Sequence, residues 1–172
     1  MCAPRVFNPD DYLETGAGRV FTPERNAAAW ERVYAELESC FSAAAPETRF
    51  YLVMGVQGSG KTTWIHENAA SLGPAAVCLD AALPARRHRT RALELAARFG
   101  VPAVAVWIKA TLEEALARNL RRAPDQQVPG DAIRSVASLI EAPVPDEGFA
   151  QVLEISSGTS FTPATSTGAA SS

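Results

Sequence analysis

Residues 55–62 read Gly55-Val56-Gln57-Gly58-Ser59-Gly60-Lys61-Thr62 and follow the phosphate-loop pattern G-x-x-x-x-G-K-[ST]. A glycine-rich turn running into a helix turns successive backbone N–H groups toward an anion, and the helix N-terminus adds favourable charge. On this pattern Gly55, Gln57, Gly58, Ser59, Gly60 and Thr63 line a phosphate cradle. Lys61 reaches the β- and γ-phosphates, and the Thr62 hydroxyl ligates Mg²⁺. The alternative is a chance match in a glycine-containing turn. Both flanks argue against it: the apolar run Phe50–Met54 suits a strand, and Thr63–Ala70 suits a helix. The motif points to ATP or another nucleoside triphosphate with Mg²⁺. It does not choose between adenine and guanine, or name what receives the phosphate.

Chemistry on such a donor needs a second metal-binding acid and cations over the transferred phosphoryl. Asp80 ends the apolar run Ala75–Leu79, where parallel sheets open their ligand sites. It reads as the acid that holds Mg²⁺ with Thr62, or as a helix cap. Arg118, Arg121 and Arg122 close a helix and enter the polar loop 123–128. Arg118 and Arg122 share a face and suit a bidentate phosphate clamp. Equally, they suit the negative end of a helix dipole. Arg86, Arg87, His88, Arg89 and Arg91 form the densest basic run, at a helix start where cations are disfavoured. Two readings stay open for it: a site for a polyanionic acceptor, or a solvated face.

These groups need a scaffold of alternating strands and helices. Strands are expected at 3–7, 49–54, 75–80, 103–108 and 151–155. Thr22-Pro23-Glu24 starts a helix over 23–42, whose Trp30, Val33, Tyr34, Leu37 and Phe41 fall at helical spacing and read as core. Further helices are expected after the loop to about Leu72, from Pro84 to about Phe99, from Thr111 to about Arg122, and from Pro129 to about Ile140. Asn8-Pro9-Asp10-Asp11 has turn composition. The pattern predicts an α/β three-layer sandwich of the P-loop NTPase type, with about five parallel strands and helices on both faces.

The 172 residues suit one domain over 1–156, followed by a Ser/Thr/Gly/Ala-rich tail at 157–172 too polar to order itself. The net charge of −3 excludes a global attraction to nucleic acid, so any such binding needs a local basic patch. Cys2, Cys40 and Cys78 lack metal-like spacing and read as idle thiols in a reducing compartment. The N-terminus has no basic-then-apolar leader pattern, and runs such as Val104–Ile108 are too short to cross a bilayer. The expected location is the cytoplasm, with no membrane partner.

Beyond the loop, Val77–Asp80 with Pro84-Ala85-Arg86-Arg87, Ala97–Pro102, Ala117-Arg118-Asn119 with Arg122, Val128-Pro129, Glu141-Ala142-Pro143 and Glu147-Gly148-Phe149 recur in a familiar order. Over about 50–156 the chain resembles the polynucleotide 5′-hydroxyl kinase-like branch of the P-loop kinases, with its AAA-domain and zeta-toxin-like members. The resemblance implies that Arg118 and Arg122 belong to a lid over the ATP phosphates. It also implies a second strand after the P-loop helix, ending in an Asn-Arg-Asp-Asp-Tyr-like motif whose first Asp is the general base. That segment is missing here. Phe7-Asn8-Pro9-Asp10-Asp11-Tyr12 stands near the N-terminus instead, followed by the helix of Trp30 and Tyr34. The hypothesis is a relocated strand–helix module over 1–45, ahead of the loop core and lid at 46–156, with Asp10 as base and Asp11 beside it.

Three positions depart from the family pattern: Pro9 and Leu13 replace arginines, and Ala82 replaces an asparagine. The expected activity is transfer of the γ-phosphoryl of ATP to a hydroxyl. The acceptor is a polynucleotide 5′-hydroxyl or a small metabolite, sugar or antibiotic, and a non-catalytic ATP-binding module is the competing class.

Overall fold

The computed structural model describes residues 3–156; Cys2 and the low-complexity stretch 157–172 lie outside them. The chain begins with β1 (Arg5–Phe7), a 3-10 turn (Pro9–Leu13) and a small hairpin of β2 (Glu14–Thr15) and β3 (Gly18–Arg19). There follow α1 (Pro23–Ser42), β4 (Arg49–Met54), α2 (Lys61–Leu72), β5 (Ala76–Asp80), α3 (Arg86–Arg98) and β6 (Ala103–Lys109). The last elements are α4 (Leu112–Asn119), α5 (Gly130–Ser138) and β7 (Gln151–Ser156). Three helices are shorter than their sequence patterns suggest. α3 starts two residues after Pro84. α4 stops at Asn119, where its side chain turns to a loop, and α5 stops at Ser138.

Five parallel strands lie in the order β1-β5-β4-β6-β7. This is the expected α/β P-loop NTPase sandwich. Alternation along the central strands sorts its two layers. Phe50, Leu52 and Met54 of β4 face Val33, Leu37 and Phe41 of α1 and Ala92 and Ala96 of α3. Val53 of β4 and Val104, Val106 and Ile108 of β6 face Trp64 and Ile65 of α2. The connections β1→β4 and β5→β6 move in one direction along the sheet, and their helices share a face. The connection β4→β5 moves the other way, and α2 takes the opposite face. One constant crossover hand requires this division. The N-terminal strand therefore enters the sheet at the edge beside the Asp80 strand.

The basic run of α3 divides: Arg86, Arg87 and Arg91 lie on an exposed face, and Arg89 turns into the protein. Arg89 is buried and forms a two-pronged ion pair with buried Glu147, both bonds at 2.7 Å. Its remaining nitrogen donates to the carbonyls of Leu83 (3.2 Å), Pro84 (3.4 Å) and Glu141 (3.1 Å). Leu83 holds a left-handed φ of 44°, a conformation that costs a branched side chain roughly 1–3 kcal/mol and persists only where neighbours over-determine it. Arg86 pairs with Asp146, and Arg91 pairs with Glu31 while stacking over Tyr34. His88 Nδ1 accepts from the Ala85 N–H at 3.1 Å. Burial, then Arg87 and Arg89, lower its pKa, which suits a neutral capping acceptor.

Arg89 thus clamps the loop after Asp80 to the segment before β7. Substituting Arg89→Met strands the buried Glu147 carboxylate and is expected to cost about 3–5 kcal/mol of unfolding free energy in urea melts. The double change Arg89→Met with Glu147→Met should recover a large part of that loss, because no lone charge then remains buried.

Candidate functional site

The loop between β4 and α2 is shaped by close backbone approaches. A Cβ on Gly55 (φ +148°) would lie 2.6 Å from the Ile108 carbonyl oxygen, and one on Gly58 (φ +84°) would strike the carbonyl of Ala115. The loop therefore packs against β6 and α4 as a bare backbone ribbon. Trp64 N–H is the first of α2 to find a helical partner, on the Gly60 carbonyl at 2.9 Å. The preceding N–H groups open outward as an anion cradle. Ser59 is buried and its Oγ has no hydrogen-bond partner. Such an orphan donor beside free N–H groups fits phosphate oxygens.

Lys61 folds back over the loop and donates to the carbonyls of Gly55 (3.0 Å) and Val56 (3.1 Å). Desolvation lowers its pKa; Asp80 opposes that and Arg122 adds to it. Thr62 Oγ1 donates to Asp80 Oδ2 at 2.6 Å, and Asp80 is buried at the end of β5. The hydroxyl and carboxylate form a compact oxygen pair suited to Mg²⁺, which takes few protein ligands and completes its shell with phosphate oxygens and water. Among the described residues no cluster of three or more His, Cys, Asp or Glu side chains offers another metal site. Cys40 and Cys78 are unpaired, and burial pushes the Cys78 thiol up to about 12.

Asn8 caps the turn that carries the two aspartates, accepting from the Asp10 N–H at 2.9 Å. Buried Leu13 and the Tyr12–Glu36 bond of 2.6 Å tie that turn to α1. Asp10, Asp11, Lys61, Thr62, Asp80 and Arg122 line one cleft of about 500 Å³, together with Gln57, Gly58, Gly60 and Thr63. Arg118 does not line this cleft and donates to the loop carbonyls of Ser59 (3.1 Å) and Gly58 (3.4 Å).

Arg122 rides on the loop that follows α4. Buried Asn119 closes this loop by bonding both backbone groups of Val128, at 2.7 and 2.9 Å. Gln127 gathers the carbonyls of Leu120 and Arg122. Its tip reaches the N-terminal hairpin: a Cβ on Gly18 would lie 3.3 Å from Asp125 Cβ.

Four cleft residues escaped the reading of motifs. Arg19, on the hairpin, bonds Asp10 Oδ2 at 3.1 Å and Glu14 Oε1 at 2.8 Å. Phe21, Asn26 and Trp30 form the wall opposite the loop. Helical spacing assigns Trp30 to the core with Val33, Tyr34, Leu37 and Phe41; half-buried Trp30 packs against that core and also lines the cleft. No local signal separates these positions from ordinary loop and core residues.

The fold and this loop define a nucleotide-binding α/β domain of the P-loop NTPase type. A family model described as an AAA domain matches residues 68–143, less than half of the chain. The match takes in Asp80, Arg118 and Arg122 and begins after the phosphate loop. No curated protein matches the chain. No helix among the described residues is long and apolar enough to cross a membrane.

The Asp11 carboxyl is pushed above its ordinary value, first by the protein wall that partly buries it and next by Asp10. Asp80 and Glu14 add to this and Arg19 opposes it. A raised carboxyl pKa stabilises the fold below the unfolded value, and that contribution is lost as pH rises through the folded value. Asp11→Asn should therefore raise Tm at pH 7, and the gain over wild type should shrink toward zero as melts are taken below about pH 4.

Proposed function

We propose that the chain is an ATP-dependent phosphotransferase that moves the γ-phosphoryl group to a hydroxyl, with Asp10 as the base. The observation that carries this reading is the convergence of Asp10, Lys61, Thr62, Asp80 and Arg122 on one cleft. A nucleotide holder has no need of an acid turn facing its phosphate loop. The AAA-domain match supports it, since such domains are common among P-loop kinases.

Thr62 and Asp80 would hold Mg²⁺, which would supply charge neutralisation to the phosphates. The loop N–H groups and Lys61 hold the triphosphate, and Arg122 approaches from the lid as negative charge spreads over the phosphoryl oxygens. Asp10, steadied by Arg19, orients the acceptor hydroxyl and takes its proton. The hydroxyl oxygen bonds to the γ-phosphorus, and the bond to the β–γ bridging oxygen breaks, releasing ADP. In this reading residues 1–45 are a relocated strand–helix module that carries Asp10 from β1 to the cleft. Its support is the edge position of β1 beside β5 and the turn that follows β1.

Two substitutions separate binding from transfer. Asp10→Ala should retain ATP affinity by calorimetry and lower transfer from radiolabelled ATP by about 10²–10⁴-fold. Lys61→Ala should weaken both. Transfer at the wild-type rate by the Asp10→Ala protein would remove Asp10 from the reaction.

A further inference from the structure

The two walls of the cleft differ in chemistry. One is the phosphate loop with Lys61 and the lid residue Arg122. The other carries Phe21, Asn26 and Trp30 above the Asp10–Asp11 turn. Phe21 is 67% exposed, far more open than an aromatic side chain usually stands without a partner. The residue before it is held: Val20 N–H donates to the Leu13 carbonyl at 2.9 Å, and Arg25 Nε donates to the Val20 carbonyl at 3.2 Å. Trp30 stacks on Tyr34, with ring centroids 5.7 Å apart and planes inclined by 29°. Two aromatic rings and an amide on one cleft make a surface for a flat, uncharged group.

Charge argues against the other acceptor class. A polynucleotide end needs Lys or Arg along its backbone phosphates. The cations lining the cleft are Lys61 and Arg122, which belong to the loop and lid, and Arg19. Arg19 is committed to Asp10 and Glu14. In the basic run of α3, Arg86, Arg89 and Arg91 pair with Asp146, Glu147 and Glu31, and exposed Arg87 does not line the cleft. What remains on the acceptor wall is aromatic and acidic, which repels a polyanion.

We infer that the acceptor is a small uncharged alcohol bearing a flat ring, such as a nucleoside, stacked on Phe21 and Trp30 with Asn26 bonding its edge, and not a polynucleotide 5′ end. This rests on the kinase reading above. The ring anchors the molecule, its hydroxyl lies over Asp10, and the phosphoryl transfer is the one already described.

The test uses the full chain with two readouts. Quenching of tryptophan fluorescence by the four ribonucleosides and by 4-nitrobenzyl alcohol reports binding. Transfer from γ-labelled ATP to the same probes and to a 5′-hydroxyl oligonucleotide reports turnover. The expected result is transfer to at least one ring alcohol in preference to the oligonucleotide. Phe21→Ala should then raise that acceptor's KM about tenfold with kcat largely kept, as loss of one stacking surface predicts, and Phe21→Tyr should restore it. Preference for the oligonucleotide, an unchanged KM in Phe21→Ala, or no binding by any ring probe overturns the acceptor assignment. Binding by the ring probes with no transfer to any acceptor upholds the aromatic wall and overturns the kinase reading beneath it.

Discussion

The site depends on the parallel register of β5 between two neighbours. Val53 of β4 stands opposite Asp80, and Phe7 of β1 stands opposite Leu79. Parallel strands bring their C-terminal ends to one edge of the sheet, where loops can converge. The phosphate loop leaves β4 there, Asp80 closes β5 there, and the Asp10 turn leaves β1 there. A one-residue slip of β5 would turn Asp80 to the other face of the sheet. The bond from Thr62 to Asp80 would be lost with it. The full burial of β5 on both faces, with Leu79 toward α1 and Cys78 toward α2, is what forbids the slip.

Around that edge the molecule divides its electrostatics into two kinds. Away from the cleft, charges are matched: Arg89 and Glu147 satisfy each other and hold the strained turn at Leu83. Inside the cleft they are left in tension. Lys61 is desolvated, and Asp11 faces Asp10 and Asp80 with Arg19 as the opposing charge. On the kinase reading, like charge gathered beside a phosphate loop suits a site for a cationic metal and an anionic nucleotide. The matched clamp one loop away offsets part of that cost and keeps the Asp80 loop in place.

The hairpin and lid add a second layer of organisation. The N-terminal hairpin supplies Arg19 to Asp10 and touches the lid at Asp125. Asn119 fixes the base of the lid by taking both backbone groups of Val128. Donor-side and acceptor-side elements thus meet through a contact between segments over a hundred residues apart. On the kinase reading, this couples closure over the phosphates to the position of the base.

By itself the sequence determined what rests on local rules. The glycines and Lys-Thr pair at 55–62 require a turn that only glycine can make. Pro23, Gly73 and Gly100 mark helix ends, and alternating apolar residues mark buried strands; each of these appears within a residue or two of its expected place. What the tertiary structure decided concerns partners far away in the chain. Spacing alone left the α3 arginines open between an acceptor site and a solvated face, because Glu31, Asp146 and Glu147 lie more than fifty residues from them. Trp30 reads as core because period shows which side of a helix is apolar and not where the core stops. Arg19 and Phe21 carry no motif, and they matter only because β1 pairs with β5 and swings the following hairpin over the phosphate loop. Side-chain chemistry is encoded locally, but which charges neutralise one another and which stay free for a ligand is settled only when distant segments pack.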